Sequence, residues 1–229
     1  MNLSNFFTLR KGRKMQYAFG VLGMLGFMLG FAVFRYLQFR RRYSRVLQSE
    51  NPKMRPVIFM LDYYCGTTQR TARLLETARL YQALKSSGDK PRVLLTVGKL
   101  ACYDVPVSYI NRRDLVEMGV AYEDIETFFG SHDFGVDTLK EVRLACQWLK
   151  LQRMCTVHVV TDTLHWFQVF FLCIFHGIFP YPHLVELLEI DPSLIAGRLL
   201  SVVITFFDPN GHNPLSTVVR FKRRYISAN

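Results

Sequence analysis

Cysteine is scarce in this sequence, and its spacing excludes the usual cysteine chemistries. None of the five cysteines forms a C-x-x-C pair, which argues against a zinc site or a redox dithiol. An odd number cannot pair completely, which argues against an exterior domain built on disulfides. Cys146 and Cys173 lie in apolar helical segments, where we expect free thiols that behave as small hydrophobic side chains. The five are Cys65, Cys102, Cys146, Cys155 and Cys173.

Acidic residues are also few, with 18 Asp and Glu against 29 Lys and Arg and a formal net charge of +11. Much of the excess flanks one N-terminal apolar segment, and residues 222–224 are basic as well. Basic flanks beside a membrane helix most often meet anionic lipid headgroups. We therefore expect a lipid bilayer with anionic headgroups as a partner, and no nucleic acid.

Motifs for cofactor chemistry are missing as well. The sequence has no Walker loop, no G-x-S-x-G and no convincing G-x-G-x-x-G. Its histidines do not occur with carboxylates at metal-ligand spacing. We expect neither a cofactor nor a metal ion.

The N-terminal apolar segment, residues 15–34, carries no charge. A helix of about 20 residues spans about 30 Å, the thickness of the hydrocarbon core of a bilayer. Arginines follow it instead of a small-residue cleavage site, which favours a retained anchor over a signal peptide. Gly23, Gly26 and Gly30 would let a partner membrane helix approach closely, so we also expect a membrane-protein partner.

The sequence divides into a basic N-terminal segment (1–14), a transmembrane anchor (15–37), a juxtamembrane linker (38–56) and one domain (57–229). In that domain, short apolar segments alternate with helical patterns. This alternation predicts an α/β fold, a three-layer domain with a mostly parallel sheet. The predicted strands are 57–61, 92–97, 125–129, 155–161 and one near 183–188. The predicted helices are 67–86, 107–118, 137–152, 164–178 and one near 193–207.

Polar residues follow three of these strands, at the edge where open α/β sheets bind ligands. His165 has two interpretations: acid–base or phosphate chemistry, or a helix-start histidine bonded to backbone. Asp162 is either a general base or the N-cap of the following helix, and capping is the more frequent role. The candidate ligand-binding residues are Asp62, Thr96, Gly98, Thr138, Thr161 and Gln168.

Two further features are open to more than one interpretation. His158 lies within a strand and is better explained as a hydrogen-bonded core residue than as a ligand. The 164–178 helix carries aromatic residues on nearly all sides, which indicates deep burial or, alternatively, an apolar surface for a partner. These aromatic residues are Trp166, Phe167, Phe170, Phe171 and Phe175.

Five segments occur in a familiar order: 70–84 (RTARLLETARLYQAL), 92–96, 112–125 (RRDLVEMGVAYEDI), 135–141 and 159–165 (VVTDTLH). In this order the chain resembles the SanA/ElyC/YdcF family of bacterial envelope proteins, and within it the membrane-anchored SanA-like branch. The resemblance implies an inner-membrane protein with a single membrane pass and a periplasmic domain. The residues leave the orientation open, because both flanks of the anchor are basic, and the arginine-rich segment 40–45 and the unpaired cysteines favour the opposite side.

The chain departs from the family pattern where a ligand would be held. Val97 stands in place of a glycine, Lys140 in place of a glutamate and Gln168 in place of an arginine. Replacing a glycine prevents a ligand from approaching the backbone closely. Replacing an arginine removes a side chain that could bind an anionic group through two hydrogen bonds. We therefore expect a non-catalytic accessory or assembly subunit of a bacterial membrane complex. The alternative is an envelope enzyme or ligand-binding protein that acts on a phosphorylated or nucleotide-like small molecule.

Overall fold

A computed structural model describes residues 55–61, 68–96, 106–128, 138–152, 156–186 and 200–205, and positions 23, 26, 30, 34 and 37. Within these ranges strands and helices alternate along the chain, and residues 200–205 are helical. The strands are β1 (Pro56–Met60), β2 (Arg92–Thr96), β3 (Ile125–Phe128), β4 (Thr156–Asp162) and β5 (Pro180–Val185). The helices are α1 (Thr68–Ser86), α2 (Val107–Glu117), α3 (Thr138–Leu151) and α4 (Thr163–Phe175), with a 3-10 turn at Tyr122–Asp124.

The five strands form one parallel sheet in the order β3-β2-β1-β4-β5. Val57 of β1 lies opposite Arg92 of β2 on one side and Val157 of β4 on the other. Successive strands are therefore added in one direction from β1 to β3 and in the other direction from β4 to β5. The winding changes direction between β1 and β4, and this is the topological switch point of such a sheet. The predicted α/β fold is confirmed.

Two hydrophobic cores cover the two faces of the sheet. In β1 every side chain is buried, and alternate residues enter different cores because successive side chains point to opposite faces. Val57 and Phe59 pack with α3 and α4, whereas Ile58 and Met60 pack with α1 and α2. The sheet thus lies between two helical layers, which gives the three layers that the sequence predicts.

Cys146 of α3 and Cys173 of α4 belong to the first core and are buried free thiols, as predicted. A hydrogen bond from the Cys173 thiol to the Cys146 sulfur, together with burial, raises the pKa of Cys173 well above its usual range. A thiol that stays protonated is a poor nucleophile and a poor metal ligand. This pair therefore contributes packing.

The end of α4 and the start of β5 differ from the prediction. The helix ends at Phe175 and not at residue 178, because Gly177 adopts a left-handed backbone with φ of +78° that terminates it. The strand begins at Pro180 and not near residue 183. Prolines argue against a strand interior, but β5 pairs only with β4 within the described sheet. An edge strand tolerates proline where the missing N–H would face away from the sheet.

The expected deep burial of the aromatic residues of α4 is wrong. Phe167 is 54% exposed, and Trp166, Phe170, Phe171 and Phe175 are only partly buried. The helix packs on the sheet through a narrower stripe, in which Val169, Leu172 and Cys173 are fully buried. The opposite side of α4 therefore carries aromatic rings toward solvent.

Most of the expected membrane anchor lies outside the described residues. The five described positions are helical, and their spacing of three or four residues places them on one helix face. Gly23, Gly26 and Gly30 are exposed, and a Cβ added at any of them meets no atom within 4 Å. In the part of the chain that the structure describes, no helix combines the length and the hydrophobicity required to cross a membrane.

Candidate functional site

The carboxyl ends of β1 and β4, at the switch point, bring together five of the candidate site residues: Thr138, Thr161, Asp162, His165 and Gln168. All five are buried. Thr96 is the last residue of β2. Asp62, Gly98 and the loop 131–137 lie outside the described residues. The site can therefore be built from the ends of β1 and β4 and the starts of α1, α3 and α4.

Asp162 is the last residue of β4 and the N-cap of α4, as the sequence predicts. Its Oδ1 atom accepts a hydrogen bond from the backbone N–H of His165 at 2.7 Å. The first turn of a helix has backbone donors without internal partners, and a carboxylate satisfies one of them. One carboxylate oxygen of Asp162 is thus committed to starting α4.

The second oxygen of Asp162 is committed to Arg73 of α1. The Arg73 guanidinium donates to Oδ2 at 2.6 Å and to the backbone carbonyl of Leu61 at 3.0 Å. The two charged side chains are only 1% and 2% exposed. Arg73 therefore ties α1 to the ends of β1 and β4 and neutralises the carboxylate between them.

Sequence reasoning missed Arg73, although a signal for it exists. Arg73, Thr77, Leu80 and Tyr81 share the helical spacing of the buried face of α1, and all four are buried. An arginine within an apolar stripe requires an acceptor in the core. Asp62 and Asp162 are both carboxylates at predicted strand ends, and the sequence alone does not show which of them α1 packs beside.

His165 contacts the start of α3. Its Nε2 atom lies 2.9 Å from Oγ1 of Thr138, and both residues are buried. The hydrogen bond joins the first turn of α4 to the first turn of α3. The histidine is therefore held by a side chain on a neighbouring helix, and not only by backbone as the simpler interpretation assumed.

Gln168 occupies the position where the family pattern has an arginine. Its Nε2 atom donates to Oγ1 of Thr205 at 3.0 Å, in the 200–205 helical segment. Among the described residues, Oε1 of Gln168 and Oγ1 of Thr161 are buried without a hydrogen-bond partner. The amide oxygen of Gln168 can only accept, and the hydroxyl of Thr161 can accept or donate one hydrogen bond, so the two do not replace the bidentate anion clamp that an arginine would provide.

A second polar cluster lies between α1 and the edge strand β5. His158 Nδ1 is 3.0 Å from His183 Nε2, and His183 Nδ1 is 3.4 Å from an oxygen of Glu76. Arg79 donates two hydrogen bonds of 2.7 Å to the same carboxylate. His158 is thus hydrogen-bonded, as predicted. Within the described ranges no group of three or more His, Cys, Asp or Glu is arranged to hold a metal ion.

The cluster disfavours a charge on His158. Burial and the neighbouring His183 lower the pKa of His158, while the carboxylate of Asp89 acts weakly in the opposite direction. The hydrogen bonds from Arg79 lower the pKa of Glu76 despite some burial. The carboxylate therefore stays charged at the surface end, and the imidazole at the inner end stays neutral near neutral pH.

This arrangement predicts a stability change in mildly acidic solution. His158 binds its proton more weakly in the folded than in the unfolded chain, so its contribution is intact above pH 6.5 and is lost as the pH falls through the folded pKa. In this pH range the loss of this contribution lowers the free energy of unfolding by at most about 1.4 kcal/mol per pH unit. Denaturant unfolding of the wild type and of His158→Asn from pH 7 to pH 5 measures it. The two stabilities should converge as the pH falls; curves that stay parallel would show that the pKa of His158 is the same in the folded and the unfolded chain.

The buried network at the switch point is thus an arrangement of satisfied charges. It holds strand ends and helix starts together, and both oxygens of the Asp162 carboxylate are bonded within it. Comparison with models of known protein families finds no match, and comparison with functionally curated proteins finds none either.

Proposed function

We propose that this chain is a single-pass, membrane-anchored α/β protein that performs no catalysis and serves as an accessory or assembly subunit of a bacterial membrane complex. The proposal joins a domain in which both oxygens of the candidate carboxylate, Asp162, are bonded within the protein to an N-terminal segment with the composition of a membrane helix. The bonding of the candidate site supports the first part of the proposal, and the composition of the N-terminal segment supports the second.

The observation that carries the proposal is the bonding of Asp162. Its two carboxylate oxygens accept from His165 N–H and from Arg73, and the pair is almost fully buried. A general base needs an oxygen within reach of a substrate proton, and a nucleophile needs an accessible one. Freeing either oxygen would leave a buried arginine or a helix start without its partner, at a cost of several kcal/mol.

The proposed anchor supports a membrane location for the protein. Residues 15–34 are uncharged and bounded by basic residues on both sides. The described helical positions within and after it share one face that includes Gly23, Gly26 and Gly30. Such a face suits a second membrane helix, because small residues permit close backbone contact. With the resemblance to the SanA-like branch, this supports a bacterial inner-membrane protein with a periplasmic domain.

A second function is favoured by the position of the network. Open α/β sheets bind ligands at the switch point, and here the buried amide oxygen of Gln168 can accept a hydrogen bond and the buried hydroxyl of Thr161 can accept or donate one. A ligand that donates hydrogen bonds, such as the hydroxyl or amide groups of a nucleotide-like molecule, would satisfy them. This is the alternative of an envelope enzyme or ligand-binding protein acting on a phosphorylated small molecule.

The two functions are separated by extraction of the full chain from its native membrane in mild detergent, followed by native mass measurement. An accessory subunit should leave the membrane in a discrete assembly, with partners in fixed stoichiometry. A lone protomer or a homodimer would contradict the proposal. It would direct attention to small-molecule binding screens with Thr161→Val and Gln168→Ala as the site variants.

A further inference from the structure

All five strands are parallel, so their amino ends lie along one edge of the sheet, which we call the amino edge. Pro56 of β1 lies opposite Thr156 of β4, and Val157 lies opposite Pro180 of β5. The starts of these three strands are therefore level with one another. The chain that follows the proposed anchor enters the domain at this edge, through Arg55.

Large apolar side chains are exposed along the amino edge. Leu151, at the end of α3, is 80% exposed, and Tyr122, directly before β3, is 60% exposed. Tyr181, at the start of β5, is 50% exposed and contacts the ring of the neighbouring Phe179. Tyrosine is enriched where a protein meets lipid headgroups, and phenylalanine and leucine are typical of apolar surfaces that lie at this boundary.

Basic residues accompany these side chains. Arg55, Lys90 and Lys150 are exposed near the starts of β1 and β2 and the end of α3. The guanidinium of Arg112 lies 3.6 Å from the ring centroid of Tyr122. Two exposed carboxylates, Asp89 and Glu123, oppose them in part.

The segment that enters the amino edge is more strongly basic. Residues 38–55 contain six Lys and Arg against one acidic residue, Glu50. Each basic residue near an anionic membrane surface contributes about 1 kcal/mol of attraction. Charge complementarity therefore favours an anionic surface as the occupant of this edge.

The length of the connection limits where the amino edge can lie. Eighteen residues, 38–55, separate the last described helical position from β1. Fully extended, they span about 60 Å, and less if their basic residues lie on the headgroups. The entry point of the domain therefore lies within about 60 Å of the bilayer, and the edge nearest to that entry point is the amino edge.

We infer that the amino edge of the sheet, through Leu151, Phe179, Tyr181 and the lysines beside them, docks on the anionic headgroup surface of the bilayer. The inference rests on the proposed membrane anchor. The carboxyl edge, with the Arg73–Asp162 network, then faces the aqueous compartment. The membrane would be the platform on which the domain is oriented for its partner.

Two exposed aromatic positions provide a matched test. Tyr181 is 50% exposed at the amino edge, and Phe167 is 54% exposed at the carboxyl edge in the first turns of α4. Each is replaced by tryptophan in a full-length chain that carries Trp148→Phe and Trp166→Phe. If that background does not fold, the same probes are measured by difference against the wild-type fluorescence. The proteins are placed in nanodiscs of brominated phosphatidylcholine, with or without about 30% phosphatidylglycerol, to supply the anionic charge.

Docking predicts that lipid bromine quenches the fluorescence of Tyr181→Trp by about half in the anionic discs, because quenching requires proximity to lipid. In the neutral discs the quenching should be much weaker, because the electrostatic attraction to the headgroups is missing. Phe167→Trp should not respond in either. Adding Lys90→Glu and Lys150→Glu should abolish the difference between the discs. Equal quenching of both probes, no quenching, or quenching of Phe167→Trp alone would overturn the inference. Crosslinking of the edge to a co-purified protein in place of lipid would do the same.

Failure of the anchor has a separate signature. A chain that does not enter the nanodiscs, or that alkaline carbonate washes from native membranes, would contradict the proposed function itself. A chain that stays in the membrane while Tyr181→Trp remains unquenched would contradict only the docking of the amino edge.

Discussion

Replacing Arg73 with methionine is expected to lower the free energy of unfolding by about 3–5 kcal/mol, the usual cost of leaving one charge of a buried pair without its partner. The variant would leave the Asp162 carboxylate buried, with the His165 N–H as its remaining donor among the bonds described above. It would also remove the hydrogen bond to the carbonyl of Leu61 at the end of β1. Denaturant unfolding of the full chain in mild detergent, followed by tryptophan fluorescence, measures the loss.

Arg79→Met is the matched control. Arg79 lies six residues further along α1 and also pairs with a carboxylate, but its side chain is 66% exposed. Exposed pairs contribute little, so this variant should unfold close to the wild type. The double variant Arg73→Met with Asp162→Asn should recover much of the loss, because it removes both buried charges while the amide oxygen can still cap α4. If Arg73→Met were as stable as Arg79→Met, the pair would not hold the fold, and Arg73 would become a candidate anion ligand.

Local sequence pattern predicted most of the elements, because short buried strands and amphipathic helices have distinct periods. Asp162 as N-cap and Gly119 at the end of α2, where φ is +88°, follow from the same local chemistry. The two prolines of β5 misled the prediction because their tolerance depends on β5 lying at the edge of the described sheet. That is a property of the strand order, which local pattern does not contain.

The candidate site was predictable in position but not in bonding. Parallel strands place their carboxyl ends together, so Thr161, Asp162 and His165 were found from the sequence. Arg73 is 89 residues from Asp162 along the chain, and only the packing of α1 across β1 and β4 brings the two side chains together. The contacts of His165 with Thr138 and of Gln168 with Thr205 were not predicted either, because these partners are also far apart along the chain. These contacts decide whether the residues are available for chemistry, so the functional conclusion depended on the fold.

The bonding also changes which variants can test function. Asp162→Ala would remove a helix cap and leave Arg73 as a buried cation, so loss of activity in that variant would not distinguish catalysis from unfolding. His165→Gln keeps a hydrogen-bonding side chain beside Thr138 and is the better variant at this site. The proposed assembly role is best tested far from the network, on the helix that carries the three glycines.

Replacing Gly26 and Gly30 together with isoleucine is expected to reduce the assembled fraction in native mass measurements by about tenfold, equivalent to about 1.4 kcal/mol of association free energy. An added Cβ at either position meets nothing within 4 Å in the protomer, so the first atom of the new side chain is accommodated. It would instead fill the space that a partner helix needs for close contact. Membrane content measured by carbonate extraction should remain at the wild-type level, since isoleucine is more apolar than glycine.

The control for this double variant is Met28→Ile, which keeps the side-chain volume similar. Residue 28 is two positions from each glycine, so in a continuous helix, at about 100° per residue, it is expected on the side opposite the glycine face. This variant should assemble like the wild type. Loss of assembly in both variants would indicate a general requirement of the helix and not a packing face. An unchanged assembly in the glycine variant would leave the soluble domain as the assembling part, and the exposed aromatic residues of α4, with Phe167 foremost, would be the next surface to substitute.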